Sequence, residues 1–428
     1  MPKRDCFLTT SLYRTGWWLV FHTCTLLMLA AVAARGADTT SVVAIVKGDD
    51  PNKMVAEAIE LCGGLKDLIR DGCSVVIKPN LTGLRGSQVY PGQTTDVRVG
   101  EALVKALKQA GNCRLSFAEG LNGGRLWENT GFADLATREG VALTNIAAGN
   151  FLPIKIDGLA LKEYRFPEVI KNSDVFIDLP VMKTHRLTGI SAGMKNLYGL
   201  LPFPRDVHHG EAEQLLADLI SIRKPDLVVV DALVAMEGQG PLDGTSVPMN
   251  LVVVGRDIVA VDTVCAAIMG FDPRQVQHLN YAHERGLGEN DLKKIVIKGV
   301  PLEQVRRSFK PAEWYIRLEM PGTPDAAKRI AALADKLTLI NEGQGGQVAE
   351  FHSERLKVDE AKYPAYKSPS FTVASDRRAR KLRFMAQYVV PSLDNRAATE
   401  AGLRRWINDN LSPLTDATAV TTPLGEYP

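Results

Sequence analysis

The chain has 428 residues, enough for one large or two ordinary domains with a substantial core. Hydrophobic residues make up 45% and charged residues 23%, which excludes a disordered or fibrous chain. A net charge of +2, with no basic stripe interleaved with aromatics, argues against a nucleic-acid partner.

The N-terminus reads as separate from the fold. Lys3, Arg4 and Arg14 precede an apolar run from Trp17 to Ala34, and small residues follow at Ala33-Ala34-Arg35-Gly36-Ala37. This is the layout of a signal peptide over residues 1–36, and it predicts an exported protein, periplasmic or extracellular. His22, Thr23 and Thr25 interrupt the run, so membrane attachment is expected only if the segment stays uncleaved as an N-terminal anchor. Cys6 and Cys24 would leave with it, while Cys62, Cys73, Cys113 and Cys265 remain, none in a C-x-x-C pair. Neither a zinc knuckle nor a four-cysteine iron–sulfur site is spelled out. An oxidising compartment would permit one disulfide, but the sequence does not pair these cysteines, and buried small hydrophobes is the preferred reading.

From Ser41 onward short β-branched runs alternate with amphipathic stretches. Val42–Val46 predicts a strand and Pro51–Cys62 a helix with Pro51 in its first turn. Ser74–Lys78 is a second strand, ended by Pro79-Asn80, and Asp96 caps a helix to about Ala110. Arg114–Ala118 predicts a strand, Leu126–Glu139 a helix, and Val141–Asn145 and Val175–Leu179 strands. Glu211–Ile222 predicts a helix, Asp226–Val230 a strand ending at Asp231, and Met249–Gly255 another strand. Helices over Ile258–Met269 and Pro273–Arg285 and a strand at Ile295–Ile297 complete the pattern. Such alternation predicts an α/β domain over residues 41–310, a mostly parallel sheet covered by helices on both faces. Residues 311–428 read as a helical C-terminal extension, with helices at Pro324–Leu337, Ala379–Tyr388 and Thr399–Asn410.

Polar residues gather where the strands end. Lys78 and Asn80 follow the second strand, Glu119 the third, and Lys183, Thr184 and His185 follow Val175–Leu179, with Lys195 and Asn196 close behind. In open parallel sheets such ends share one edge, where ligands bind. Lys78, Asn80, Thr184, Lys195 and Asn196, with the backbone of Gly238 and Gly240, are candidates for holding a phosphate or carboxylate. His185, Lys183, Asp231 and Glu237 are candidates for acid–base catalysis. His185, His208, His209 and Asp231 form a mixed donor set that would suit a divalent metal. Against these stand plainer readings: a solvated loop, helix caps at Glu119 and Asp231, and His208-His209 on the surface. Asp262, in an otherwise apolar helix, requires a partner, and a site lysine is the expected one.

Four segments carry a likeness: VVIKPNLTG (75–83), LPVMKTHRLTGISAGMKNLYG (179–199), DALVAMEGQGP (231–241), and DIVAVDTVCAAIMGFDP (257–273) with GLGENDL (286–292). In this order they resemble the DUF362 family over about residues 42–300. The resemblance implies an α/β fold and a polar site at Lys78, Asn80, Lys183, Thr184, His185, Lys195, Asn196, Asp231, Glu237, Gly238, Gly240, Pro241 and Asp262. It implies no reaction. Many relatives carry ferredoxin-like cysteine clusters, which this chain lacks, so an iron–sulfur cofactor is not carried over. The expectation is an exported enzyme acting on a small anionic ligand, with a non-catalytic anion- or metal-binding protein as the alternative. An electron-transfer role stands third.

Overall fold

The computed structural model describes residues 40–82, 90–121, 125–203, 205, 208 and 211–312, and six strand segments between 314 and 420. The expected signal segment, residues 1–36, lies outside the described residues. Among the described residues, no helix is long and apolar enough to cross a membrane.

The strands are β1 (Val42–Lys47), β2 (Ser74–Pro79), β3 (Arg114–Glu119), β4 (Ala142–Asn145), β5 (Phe151–Lys155), β6 (Glu163–Pro167), β7 (Val175–Leu179), β8 (Val181–His185) and β9 (Gly189–Ser191). They continue as β10 (Leu227–Gln239), β11 (Asp243–Gly255) and β12 (Val296–Gly299). The longer helices are α1 (Pro51–Leu61), α2 (Val97–Ala110), α3 (Phe132–Glu139), α4 (Ala212–Ile222), α5 (Ile258–Ile268) and α6 (Gln277–Glu284). Three of them start on an aspartate whose carboxylate accepts a backbone N–H of the first turn: Asp50, Asp96 and Asp257.

The main sheet runs β12-β1-β11-β10-β7-β2-β3-β4, with β8 beside β10 and β9 beside β8. Neighbours are parallel except where β11 meets β1 and β10, and where β9 meets β8. The expected α/β sheet, mostly parallel, is present. Strand periodicity explains its two covered faces. Val43 and Ile45 of β1 join one core cluster and Ala44 and Val46 the other. Val228 and Val230 of β10 likewise part from Leu227 and Val229. The first cluster includes α4, α5 and α6, and the second α1, α2 and α3, so the sheet is buried on both sides.

Several elements differ from their sequence pattern. The helix expected over Leu126–Glu139 breaks at Gly131, which adopts a φ of +79°, into Leu126–Asn129 and α3. The expected Pro273–Arg285 helix divides into a 3-10 turn at Pro273–Gln275 and α6. The strand expected to end at Asp231 runs on to Gln239 and forms a long antiparallel pair with β11. Met236, Glu237 and Gly238 therefore lie within the strand.

The C-terminal part is strand where it is described. β13 (Trp314–Pro321), β14 (Lys336–Gly343), β15 (Gly346–His352), β16 (Phe371–Asp376), β17 (Lys381–Tyr388) and β18 (Thr418–Val420) form a separate sheet ordered β14-β15-β16-β17-β13-β18. The helix expected at Ala379–Tyr388 is β17, and its sequence explains why. Leu382, Phe384 and Ala386 alternate with Arg383, Met385 and Gln387, a period of two rather than 3.6. The helix expected at Thr399–Asn410, and all but the end of the one at Pro324–Leu337, lie outside the described residues.

The β5–β6 hairpin, which no sequence pattern marked, is fastened by one buried carboxylate. Asp218 of α4 accepts N–H bonds from Leu159 (2.7 Å) and Ala160 (2.9 Å), the Tyr164 hydroxyl (2.7 Å) and the Arg285 guanidinium. Its side chain is fully buried, so removing it would strand an arginine and several backbone donors together. Asp218→Ala is expected to destabilise the protein by about 3–5 kcal/mol in denaturant titrations, with Asp218→Asn losing less.

Candidate functional site

The site forms at the C-terminal ends of β2, β3 and β7, three adjacent parallel strands. Pro180 ends β7, after which the chain leaves β2 and continues as β8 along β10. Lys183 is thereby set on a strand, β8, rather than in a loop. The expected lysine-bearing loop is in fact β8, β9 and the short helix Gly193–Asn196.

Lys78, at the end of β2, is 1% exposed. Its ammonium donates to both Glu119 carboxylate oxygens at 2.9 Å and to Asn196 Oδ1 at 3.2 Å. Glu119 is held in turn by the N–H groups of Gly120 (2.7 Å) and Leu81 (3.2 Å). The anion clamp expected of Lys78 thus gives way to a buried ion pair. Gly199 lines this pair so closely that a Cβ there would lie 2.8 Å from Glu119 Oε1 and 2.9 Å from Lys78 Nζ. Only glycine leaves room for the two charges.

Asn196 and Asn80 extend the network. Asn196 Nδ2 donates to the Lys78 carbonyl (3.1 Å) and to Asp178 Oδ1 (2.8 Å), and its Oδ1 also accepts from Asn80 Nδ2 (3.0 Å). Asn80 Oδ1 then accepts from the Lys183 ammonium at 2.8 Å. The second acceptor for Lys183 is the Gln93 carbonyl, at 2.7 Å. Lys183 is fully buried, and both of its partners are neutral. Burial, and next the charge of Lys195, bring the Lys183 ammonium down to about 7. Lys195 is half-buried, with its ammonium 4.3 Å from the centre of the Tyr198 ring.

Asp178 stands beside Lys78 in the sheet register and is fully buried. Its Oδ2 has no hydrogen-bond partner among the described residues. Burial raises it well above the ordinary carboxylate range, with the Lys78 charge opposing.

Other expected site residues have structural roles. Asp231 sits within β10, where its oxygens accept the N–H groups of Asp96 (2.7 Å) and Leu233 (2.9 Å). It anchors the start of α2. Glu237 accepts the Lys310 N–H at 3.0 Å. Thr184 donates to the Gly238 carbonyl at 2.8 Å, and Arg186 N–H to the Gly240 carbonyl at 3.1 Å, so these two glycines fasten β10 to β8 rather than cradle an anion. The Leu187 N–H donates to His185 Nδ1 at 3.0 Å, which places the proton of the neutral ring on Nε2. His208 pairs with Glu211 at 3.0 Å, and His209 lies outside the described residues. Among the described residues, no three His, Cys, Asp or Glu side chains gather into a metal set.

Asp262 does not meet a site lysine. Its oxygens accept the N–H groups of Gly193 (2.7 Å) and Met194 (2.8 Å), which fixes the short helix carrying Lys195 and Asn196. The sequence pattern also passes over Asp178 and Gln93. The signal for Asp178 was its charge within the apolar run VFIDL; for Gln93, whose backbone carbonyl does the work, there was none.

These features define a three-layer α/β protein with a buried lysine–asparagine–carboxylate network at its strand ends. The DUF362 family, described as a domain of unknown function, matches residues 75–267 by its family model, so the recognition made on the motifs holds across the site. The chain is 27% identical over 240 residues to the thylakoid-associated protein sll1697 of Synechocystis sp., covering 54% of this chain and 73% of that protein. Among solved structures it is similar to the lactate racemase apoprotein of Thermoanaerobacterium thermosaccharolyticum, at 14% identity and a TM-score of 0.33. That alignment covers 46% of this chain and 51% of the racemase chain, so the chain spans about half of that protein's length.

Asp262 generates a prediction with a defined sign. Burial raises its carboxyl to about 7 from an ordinary value of 3.8, against the two N–H bonds that lower it. The folded state therefore keeps this proton while the unfolded chain releases it. The contribution is fully present below about pH 4 and is lost as pH rises to about 7. Asp262→Asn keeps one acceptor of two and is expected to cost about 1–3 kcal/mol at acidic pH. The difference from wild type should shrink as pH rises from 4 to 7, which urea titrations across that range would measure.

Proposed function

We propose that this site captures a small phosphate- or carboxylate-bearing molecule on Lys183 and exchanges a proton with it. One observation carries the reading. The Lys183 ammonium is fully buried, two of its three N–H bonds go to the neutral oxygens of Asn80 and Gln93, and no carboxylate faces it at bonding distance among the described residues. A buried cation without a counter-charge is costly, and an anion would supply what the protein does not. Lys78 does not compete for that anion, because Glu119 already neutralises it. Lys195 adds positive charge close enough to depress Lys183.

A group titrating at about 7 is suited to give and take a proton near neutral pH. The reading is therefore anion capture with acid–base chemistry on Lys183.

Sulfate and acetate are suitable probes because their charges do not change between about pH 6 and pH 9. Their affinity, measured by calorimetry, is expected to be highest below pH 7 and to fall as pH rises through the Lys183 value of about 7. At pH 8 binding should take up protons, seen as a dependence of the heat on buffer ionisation enthalpy. Lys183→Met should weaken binding by at least about tenfold and abolish the proton uptake, with the fold checked by circular dichroism. Unchanged affinity in that variant, or affinity that rises with pH, would remove Lys183 from the site.

A further inference from the structure

At the opposite end of β2 and β3 lies a cysteine pair that plays no part in the network. Cys73 immediately precedes β2 and Cys113 immediately precedes β3. The strands are parallel and Ser74 pairs with Arg114, so the cysteines stand opposite each other one position earlier. Backbone bonds confirm the register on both sides: Arg114 N–H to the Cys73 carbonyl at 2.9 Å, and Gly72 N–H to the Asn112 carbonyl at 2.8 Å. Their Sγ atoms meet at 2.9 Å. Adjacent parallel strands bring directly opposite residues within the Cα separation that a disulfide spans.

We propose that Cys73 and Cys113 form a disulfide that ties the start of β2 to the start of β3. Both S–H bonds break and one S–S bond forms. The two electrons and two protons pass to an oxidant of the disulfide class, such as glutathione disulfide, which leaves as two thiols. Cys73 is buried, but Cys113 is only half-buried, so the oxidant can first engage Cys113 and Cys73 can resolve the mixed disulfide. Burial, and next the neighbouring Cys73 thiol, push the Cys113 thiol up to about 12, so its exchange with the oxidant runs through a small thiolate fraction and is slow at pH 8. The other described cysteines do not compete: Cys62 donates to the Val254 carbonyl at 3.1 Å, and Cys265 is buried within α5.

The bond would close a loop containing α2 and would fix the pairing of two strands whose far ends present Lys78 and Glu119 to each other. It rests on no part of the anion-site reading.

The test uses the full reduced chain incubated with glutathione disulfide at pH 8, then digested without reductant and mapped by mass spectrometry. The expected result is one cross-linked peptide pair joining Cys73 to Cys113, lighter by two hydrogens than the separate thiol peptides. Thermal unfolding of the oxidised protein should shift upward by roughly 5–10 °C and return on adding dithiothreitol. A Cys73→Ser/Cys113→Ser variant should show no such redox-dependent shift. Persistence of both as thiols, a mixed disulfide with glutathione only, or pairing of either with another cysteine would overturn the proposal. Because the mapping is done on the wild-type chain, it stands even if the double variant fails to fold.

Discussion

The buried Lys78–Glu119 ion pair is the constraint around which the site is arranged. Two charges lie at the ends of adjacent strands with almost no access to water, and such a pair persists only when its remaining donors and acceptors are satisfied. Each neighbour answers that demand. Asn196 supplies an oxygen to Lys78, the N–H groups of Gly120 and Leu81 close the Glu119 carboxylate, and Gly199 makes way for both. Asn196 in turn needs its short helix held in place, which is the work of Asp262 from a helix far along the chain.

Within this frame the compensation of charge is uneven. Lys78 has a carboxylate and Lys183 has two neutral oxygens. The same low dielectric that strengthens the first arrangement penalises the second, and the penalty appears as a lysine titrating near neutrality. Asp178 shows the converse: an acid whose proton affinity burial raises although a lysine stands beside it. Asp231, Glu237 and Asp262 have partners of a third kind. Each is bound to backbone N–H groups.

Much of this was legible in the sequence because parallel sheets place their strand ends together. Lys78, Asn80, Lys183 and Asn196, scattered along the chain, form one network as the strand-end argument expects. What stayed hidden were partners. Asp178 was submerged in an apolar run, and the Gln93 contribution is a backbone carbonyl, which no side-chain pattern reveals. Asp231 read as a strand terminus because it is polar, yet β10 passes through it, since an N–H from Asp96, 135 residues away, satisfies its carboxylate. The tail misled for a different reason: long polar side chains at Lys381 and Arg383 are compatible with helix, and only the alternation with Leu382 and Phe384 betrays the strand.

The central claim, that Lys183 is a buried cation awaiting an anion, is tested most directly by following its own titration. The side-chain carbon next to the ammonium, observed by NMR and assigned with Lys183→Arg, reports protonation at that residue alone. The account predicts a midpoint of about 7 in the anion-free protein, moving toward the ordinary lysine value of 10.5 when sulfate or acetate binds. A midpoint near 10.5 without any anion, or one that no anion moves, would contradict it.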